Sequence, residues 1–118
     1  MYSKMFILGI SVFIIFLLIL VFSNLNNQNS KTKQSRLVLY YAPWCGHCKN
    51  FMPIYEEFSD KAKNEYPTLS VEMINCVENK CPQEIRGYPT VRYLEGEKQV
   101  DFKGPRTIEG LHTFIQNN

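Results

Sequence analysis

The sequence predicts an α/β domain, a mixed sheet of about four strands with flanking helices, preceded by one N-terminal transmembrane helix. Three observations carry that expectation. The chain has 118 residues, room for one small domain and too few for a multidomain enzyme. Met5–Phe22 holds 16 apolar residues in 18, and no charge falls between Lys4 and Lys31. Beyond that run, β-type and helix-type patterns alternate in the order β-α-β-α-β-β-α.

The apolar run, residues 5–22, is expected to be a signal-anchor helix. A membrane span needs roughly 17–25 apolar residues, and Met5–Phe22 leaves no polar stripe that would lay it on a surface instead. The rival is a cleaved signal peptide. Its apolar core would normally be shorter, about 7–15 residues, and Val21-Phe22-Ser23 fits a cleavage site only loosely. Residues 23–35, SNLNNQNSKTKQS, lack aromatic and aliphatic density and read as a polar tether. The charges give no clear orientation. Lys31, Lys33 and Arg36 would hold the C-terminal side in the cytosol by a positive-inside count, but Ser23–Ser30 is uncharged and Lys4 abuts the apolar run directly.

The domain is expected over residues 36–118. Arg36–Ala42 is a nearly unbroken run of β-formers, the pattern of a buried central strand, and Pro43 ends it. From Cys45 to Asn64 the apolar residues Phe51, Ile54, Tyr55, Phe58 and Ala62 recur at helical spacing, with Pro53 expected to kink that helix and Tyr66-Pro67 closing it. Leu69–Asn75 alternates as a strand. Lys80–Ile85 reads as a short helix with Pro82 in its first turn. Pro89–Leu94 and Gln99–Lys103 read as strands joined across Glu95-Gly96-Glu97. Thr107 caps a last helix running through Ile115, with Ile108, Leu111, Phe114 and Ile115 as its buried face and His112 on the solvent side. The first two strands should be parallel and the last two antiparallel.

Charge narrows the function. Over residues 36–118 ten basic and eleven acidic residues give a net −1, so a basic nucleic-acid-binding face is not expected.

The chemistry concentrates in Cys45-Gly46-His47-Cys48. A cysteine where a strand hands over to a helix sits among unpaired backbone N–H groups, which favour an anion. That lowers its pKa and yields a thiolate nucleophile. A second cysteine three residues on lies one turn away, within reach to resolve a mixed disulfide. A histidine between them can stabilise the thiolate, and so the reduced pair, making the disulfide more oxidising. Two other readings stand beside this one. The pair is half of a zinc site that Cys76 and Cys81 would complete, or His47 is an ordinary surface residue.

Tyr41-Ala42-Pro43-Trp44-Cys45-Gly46-His47-Cys48-Lys49 resembles the active site of the protein disulfide isomerase branch of the thioredoxin superfamily. Pro53 falls at that family's helix-kink position. Arg86-Gly87-Tyr88-Pro89-Thr90 resembles its cis-proline loop, Gly96 its turn between the last two strands, and Gly104-Pro105-Arg106 the loop whose arginine modulates the resolving cysteine. The likeness covers Arg36 to about Ile115. It implies a thioredoxin-like fold with Cys45 as nucleophile and Cys48 as resolving thiol. Gly46 and His47 complete the motif, and His47 makes the pair oxidising. Trp44 shapes the client surface beside the disulfide. Pro89 would be cis, with the Tyr88 main chain open to pair with an extended client. Arg106 is a supporting residue, or else a plain surface charge. Some family members carry a cysteine pair just before the cis-proline loop, which implies a structural Cys76–Cys81 disulfide in an oxidising compartment; the alternative is two reduced thiols, one of them buried.

Two departures from the family stand out. The buried acid usually six residues before the nucleophile is Leu39 here, which leaves proton transfer at Cys48 to water or a substitute. The fold's opening strand and helix are also missing, so a trimmed core of four strands is expected, or an irregular tether segment covering one sheet edge.

The resulting expectation is a membrane-anchored thiol–disulfide oxidoreductase. It would act on cysteine-containing protein substrates, exchange with a separate redox partner and touch the membrane through residues 5–22. Sulfur supplies the redox chemistry, so no cofactor and no metal is expected. The domain would face an oxidising lumenal or extracytosolic space. Ten Asn and ten Ile suit an AT-rich genome such as that of a parasite or a large DNA virus; for a virus, the membrane would be that of the virion or the infected cell. The alternatives are a cytosol-facing disulfide reductase, marked by a potential near ~−270 mV rather than ~−180 mV, and a non-catalytic module that holds peptides in the Pro89 groove.

Overall fold

The computed structural model describes residues 2–26 and 33–118. They form two units, divided after Thr32. In the first, α1 spans Tyr2–Asn26. Its stretch Tyr2–Ser23 is, by length and composition, long and apolar enough to cross a membrane, with a mean hydropathy of 3.2. At 1.5 Å per residue those 22 residues extend about 33 Å, close to a hydrocarbon core of about 30 Å. Ser23 donates its hydroxyl to the Ile19 carbonyl at 2.8 Å, so the one hydroxyl near that end is satisfied within the helix. The helix thus takes in Ser23–Asn26 of the expected tether, while Ser35 already belongs to the first strand. Residues 27–32 of that tether lie outside the described residues.

The second unit holds β1 (Ser35–Tyr41), α2 (Gly46–Glu65), β2 (Leu69–Asn75), β3 (Thr90–Glu95), β4 (Lys98–Asp101) and α3 (Ile108–Gln116). The four strands form one mixed sheet in the order β2-β1-β3-β4. β1 is central, parallel to β2 and antiparallel to β3, and β4 pairs antiparallel with β3. Glu95 faces Lys98 across the turn. Gly96, at φ 59°, is the only described residue there in the left-handed region, as a two-residue hairpin turn requires of its first central position.

Alternation along β1 sends its residues to two different environments. Leu37 and Leu39 join Val91, Tyr93 and Leu69 in a core shared with Phe51, Tyr55, Phe58 and Ala62 of α2 and Leu111 of α3. Both helices therefore cover one face. Tyr55 is fully buried and donates its hydroxyl to the Leu37 carbonyl at 2.8 Å. That bond ties the helix carrying the cysteines to the strand that leads into them. Burial pushes the Tyr55 hydroxyl pKa well above its ordinary value.

The other face is closed differently. In register, Val38 lies between Glu72 of β2 and Arg92 of β3, and Arg92 faces Asp101 of β4. Arg36 holds Glu72 through two hydrogen bonds of 2.8 and 2.7 Å. Arg92, itself 7% exposed, holds Asp101 at 2.6 and 3.1 Å. Two bidentate arginine–carboxylate pairs thus flank Val38 and Tyr40, which are 0% and 5% exposed.

Two expectations are corrected. Lys80–Ile85 forms no helix. The Cys76–Cys81 disulfide ties the chain at its start, Pro82 lacks an N–H, and a single turn closed by the Ile85 N–H on the Pro82 carbonyl is what remains. His112 is not solvated. Its ring packs edge-on against Phe58 at 5.0 Å, and its Nδ1 lies 3.0 Å from the Tyr66 hydroxyl. It is a joint between α3 and the end of α2.

Candidate active site

β1 ends at Tyr41, and a tight turn, closed by the Cys45 N–H on the Ala42 carbonyl at 3.1 Å, delivers Cys45 as the N-cap of α2. An N-cap side chain normally carries an oxygen that accepts from the backbone N–H groups one turn on. Here that place is taken by sulfur, which as a thiol makes no capping hydrogen bond. The Cys48 N–H is the foremost cause that holds the Cys45 thiol below its ordinary pKa. The Cys48 thiol, the His47 N–H and the positive charge of Arg106 act in the same direction, and partial burial opposes them. Gly46, at the first helical position, has nothing within 4 Å of where a Cβ would stand, so the surface over the motif is open. His47 and Lys49 are exposed on the same turns.

Cys48 is fully buried while Cys45 is half-exposed, and both are free thiols. Burial, the largest influence, pushes the Cys48 thiol above its ordinary pKa, and the neighbouring Cys45 adds to it. The pair is therefore asymmetric, with one accessible sulfur inclined to ionise and one buried sulfur inclined to keep its proton.

The loop before β3 comes back to this point. The Cys45 thiol donates to the Tyr88 carbonyl at 3.6 Å, and the Tyr88–Pro89 peptide is cis. Trp44, 70% exposed, meets the Tyr88 ring edge-on at 6.2 Å. Cys76 and Cys81 are bonded to each other, and the Cys76 N–H donates to the Tyr41 carbonyl, which places that disulfide at the same end of the sheet. Bonded in this way, the two cannot complete a zinc site with Cys45 and Cys48.

Arg106 reaches the site from the loop before α3. With His47, Asn50, Phe51 and Ile54 it lines a cavity of about 210 Å³ beside the cysteines. Its loop is held by a residue the sequence reading passed over. A Cβ on Gly110 would stand only 2.2 Å from the Pro105 carbonyl oxygen, so only glycine lets the loop fold onto the first turn of α3. There the Thr107 N–H donates to Pro105, and Thr107 Oγ1 accepts from Gly110 N–H. The available signal was a glycine inside a helical pattern, which usually has a packing reason.

The sequence model of the Thioredoxin family matches residues 17–117. This chain belongs to the thioredoxin family. Within the family it is similar to the protein disulfide-isomerase of Aspergillus oryzae, 39% identical over 85 residues, which are 70% of this chain and 16% of that protein. The protein disulfide-isomerase of Saccharomyces cerevisiae is also 39% identical, over 90 residues, 73% of this chain and 17% of the relative. The chain thus spans about a sixth of the length of these curated relatives. The solution structure of the first thioredoxin domain of mouse protein disulfide-isomerase A4 superimposes with a TM-score of 0.64 at 32% identity, covering 80% of this chain and 69% of that one.

One feature sets this thioredoxin-family site apart. Leu39, six residues before the nucleophile, lies fully buried in the apolar core. Among the described residues, the groups acting on the Cys48 thiol are Ala42, Cys45 and Arg106, with no carboxylate among them.

Proposed function

We propose that the chain is a thiol–disulfide oxidoreductase of the disulfide-isomerase type, exchanging disulfides with cysteine-containing proteins through Cys45. The observation that carries this reading is the Cys45 sulfur in the N-cap position of α2, where the Cys48 N–H draws its pKa down. The Cys45 thiolate attacks one sulfur of a client disulfide. That S–S bond breaks, a Cys45–client disulfide forms, and the other client sulfur leaves as a thiolate. Cys48 then loses its proton to water, attacks the Cys45 sulfur and closes the Cys45–Cys48 disulfide, releasing the second client sulfur. The client gains the two electrons that the cysteine pair loses. The reverse sequence oxidises a client dithiol, and return of a client thiolate to the Cys45 mixed disulfide isomerises it. Both electrons reside on sulfur, so no bound cofactor or metal enters the reaction.

Trp44, Tyr88 and Pro89 offer the client surface, with Gly46 leaving room for its approach. Arg106 supplies positive charge beside the developing thiolate, and the His47 backbone N–H favours the anion as well. The bonded Cys76–Cys81 pair supports an oxidising, extracytosolic setting, with α1 as a single-pass anchor. Re-oxidation or re-reduction falls to a separate redox partner.

The test is trapping. Incubated with a disulfide-bonded protein such as insulin, the reduced Cys48→Ala chain should accumulate a client adduct that dithiothreitol releases, and Cys45→Ser should form none. Absence of any adduct with Cys48→Ala, with client binding intact in Cys45→Ser, would establish the peptide-holding module instead.

A further inference from the structure

The cavity beside the cysteines is more than a gap in the packing. Its floor is apolar, formed by Phe51, 2% exposed, and the half-buried Ile54. Its rim carries the Arg106 guanidinium, the Asn50 amide and the His47 ring. No acidic side chain lines it, and among the described residues Arg106 is in none of the ion pairs. The cavity thus combines a short apolar wall with donors and a fixed cation that lacks a counter-charge. That combination fits a side chain with one or two methylenes and a terminal carboxylate. Arginine meets a carboxylate through paired N–H donors, and the amide adds a further donor.

We infer that this cavity is a specificity subsite for a client polypeptide, receiving a glutamate side chain that neighbours the reacting client cysteine. The inference rests on the exchange reaction proposed above and names the client sequence that this reaction favours. A glutamate near the client disulfide lays its methylenes on Ile54 and Phe51 and its carboxylate against Arg106. The client sulfur is thereby held over Cys45, on the open surface above Gly46. A lysine in the same place meets a like charge and is disfavoured, which is how a single cation separates clients.

The experiment uses the reduced full chain in non-ionic detergent. The probes are capped peptides with one cysteine held as a mixed disulfide with thionitrobenzoate. They are identical except for Glu, Asp, Gln or Lys immediately before or after that cysteine. Attack by Cys45 on the peptide sulfur releases the coloured thiol. Each rate is divided by that of free cysteine with the same peptide, which removes the peptide's intrinsic reactivity. On at least one side of the cysteine, Glu is expected to exceed Gln and Lys by roughly 1.5- to fivefold, the range for a partly exposed charge pair. Asp should fall short of Glu because it cannot span the apolar wall. Arg106→Glu should reverse the Glu–Lys order, and Lys49→Glu, an exposed charge change outside the cavity, should preserve it. Exchange without charge order on either side, or a reversal produced equally by Lys49→Glu, overturns the subsite and leaves the exchange reaction standing. Failure of every peptide to react overturns the exchange reaction, and the subsite with it.

Discussion

The Cys45 thiol and the Tyr88 carbonyl lie 3.6 Å apart across 43 positions of sequence, with the thiol as donor. This hydrogen bond exists only while the sulfur is protonated. The Cys48 and His47 N–H groups of α2 and the charge of Arg106 favour the thiolate instead. Ionisation exchanges a bond to the Tyr88 loop for bonds to the helix, and leaves the Tyr88 carbonyl without its donor. Under the proposed exchange reaction, an extended client backbone N–H would take that acceptor.

The first prediction concerns the pH profile of Cys45. In Cys48→Ser, iodoacetamide alkylation of Cys45 should reach half its plateau below the ~8.5 of a free cysteine. Arg106→Gln should move the midpoint upward, since it removes a charge that favours the anion. A wild-type midpoint at or above that of free cysteine would remove the basis for attack at neutral pH.

The buried partner should behave in the opposite way. In Cys45→Ser, Cys48 should alkylate at least about tenfold more slowly than Cys45 does in Cys48→Ser at pH 7.5, because burial both shields the thiol and disfavours its anion. Mass mapping of the labelled cysteine gives the comparison directly.

Gly110→Ala should loosen the Arg106 loop. A methyl 2.2 Å from the Pro105 carbonyl oxygen forces the backbone to shift, and the expected loss is about 1–3 kcal/mol in denaturant unfolding. The Cys45 midpoint should also rise towards that of Arg106→Gln. A loss of stability without a change in that midpoint would mean that Arg106 keeps its place by other contacts.

The sheet's polar face sets an acid limit. Hydrogen bonds from Arg92 and Arg36 hold the Asp101 and Glu72 carboxyls below their ordinary pKa values. The stability they contribute is therefore present above the unfolded carboxylate range near pH ~4 and is lost as pH falls through the lower folded values. Arg92→Gln should cost about 1 kcal/mol at pH 7, modest because the Asp101 side chain is 41% exposed. The gap between wild type and variant should close as pH falls towards ~2. Chemical denaturation across that window measures it.

Much of this was legible in the sequence because it rests on periodicity. The run Arg36–Ala42, the helical spacing of Phe51, Tyr55, Phe58 and Ala62, Gly96 at its hairpin and Thr107 at its cap all appear close to where they were read. What escaped was decided by tertiary contact. Lys80–Ile85 has helix-compatible residues, but a disulfide and a proline leave it one turn. His112 sits on a helix whose apolar stripe omits it, yet the C-terminal turn of α2 packs on its ring. Arg92 stands unremarked inside the Pro89–Leu94 strand until register places it beside Val38 and opposite Asp101. The cysteine motif announced itself, whereas the cavity beside it joins residues more than fifty positions apart and has no local signature.

The two arginine–carboxylate clasps have a further consequence for how the domain meets other molecules. A partner that sought to lie flat on that face would have to strip water from both salt links at once, a penalty that ordinary apolar contact does not offset. The opposite face already belongs to the helices. At the end of the sheet that carries the cysteines, by contrast, Trp44 stands exposed and Cys45 half-exposed, and among the described residues there no such ion pair has to be desolvated.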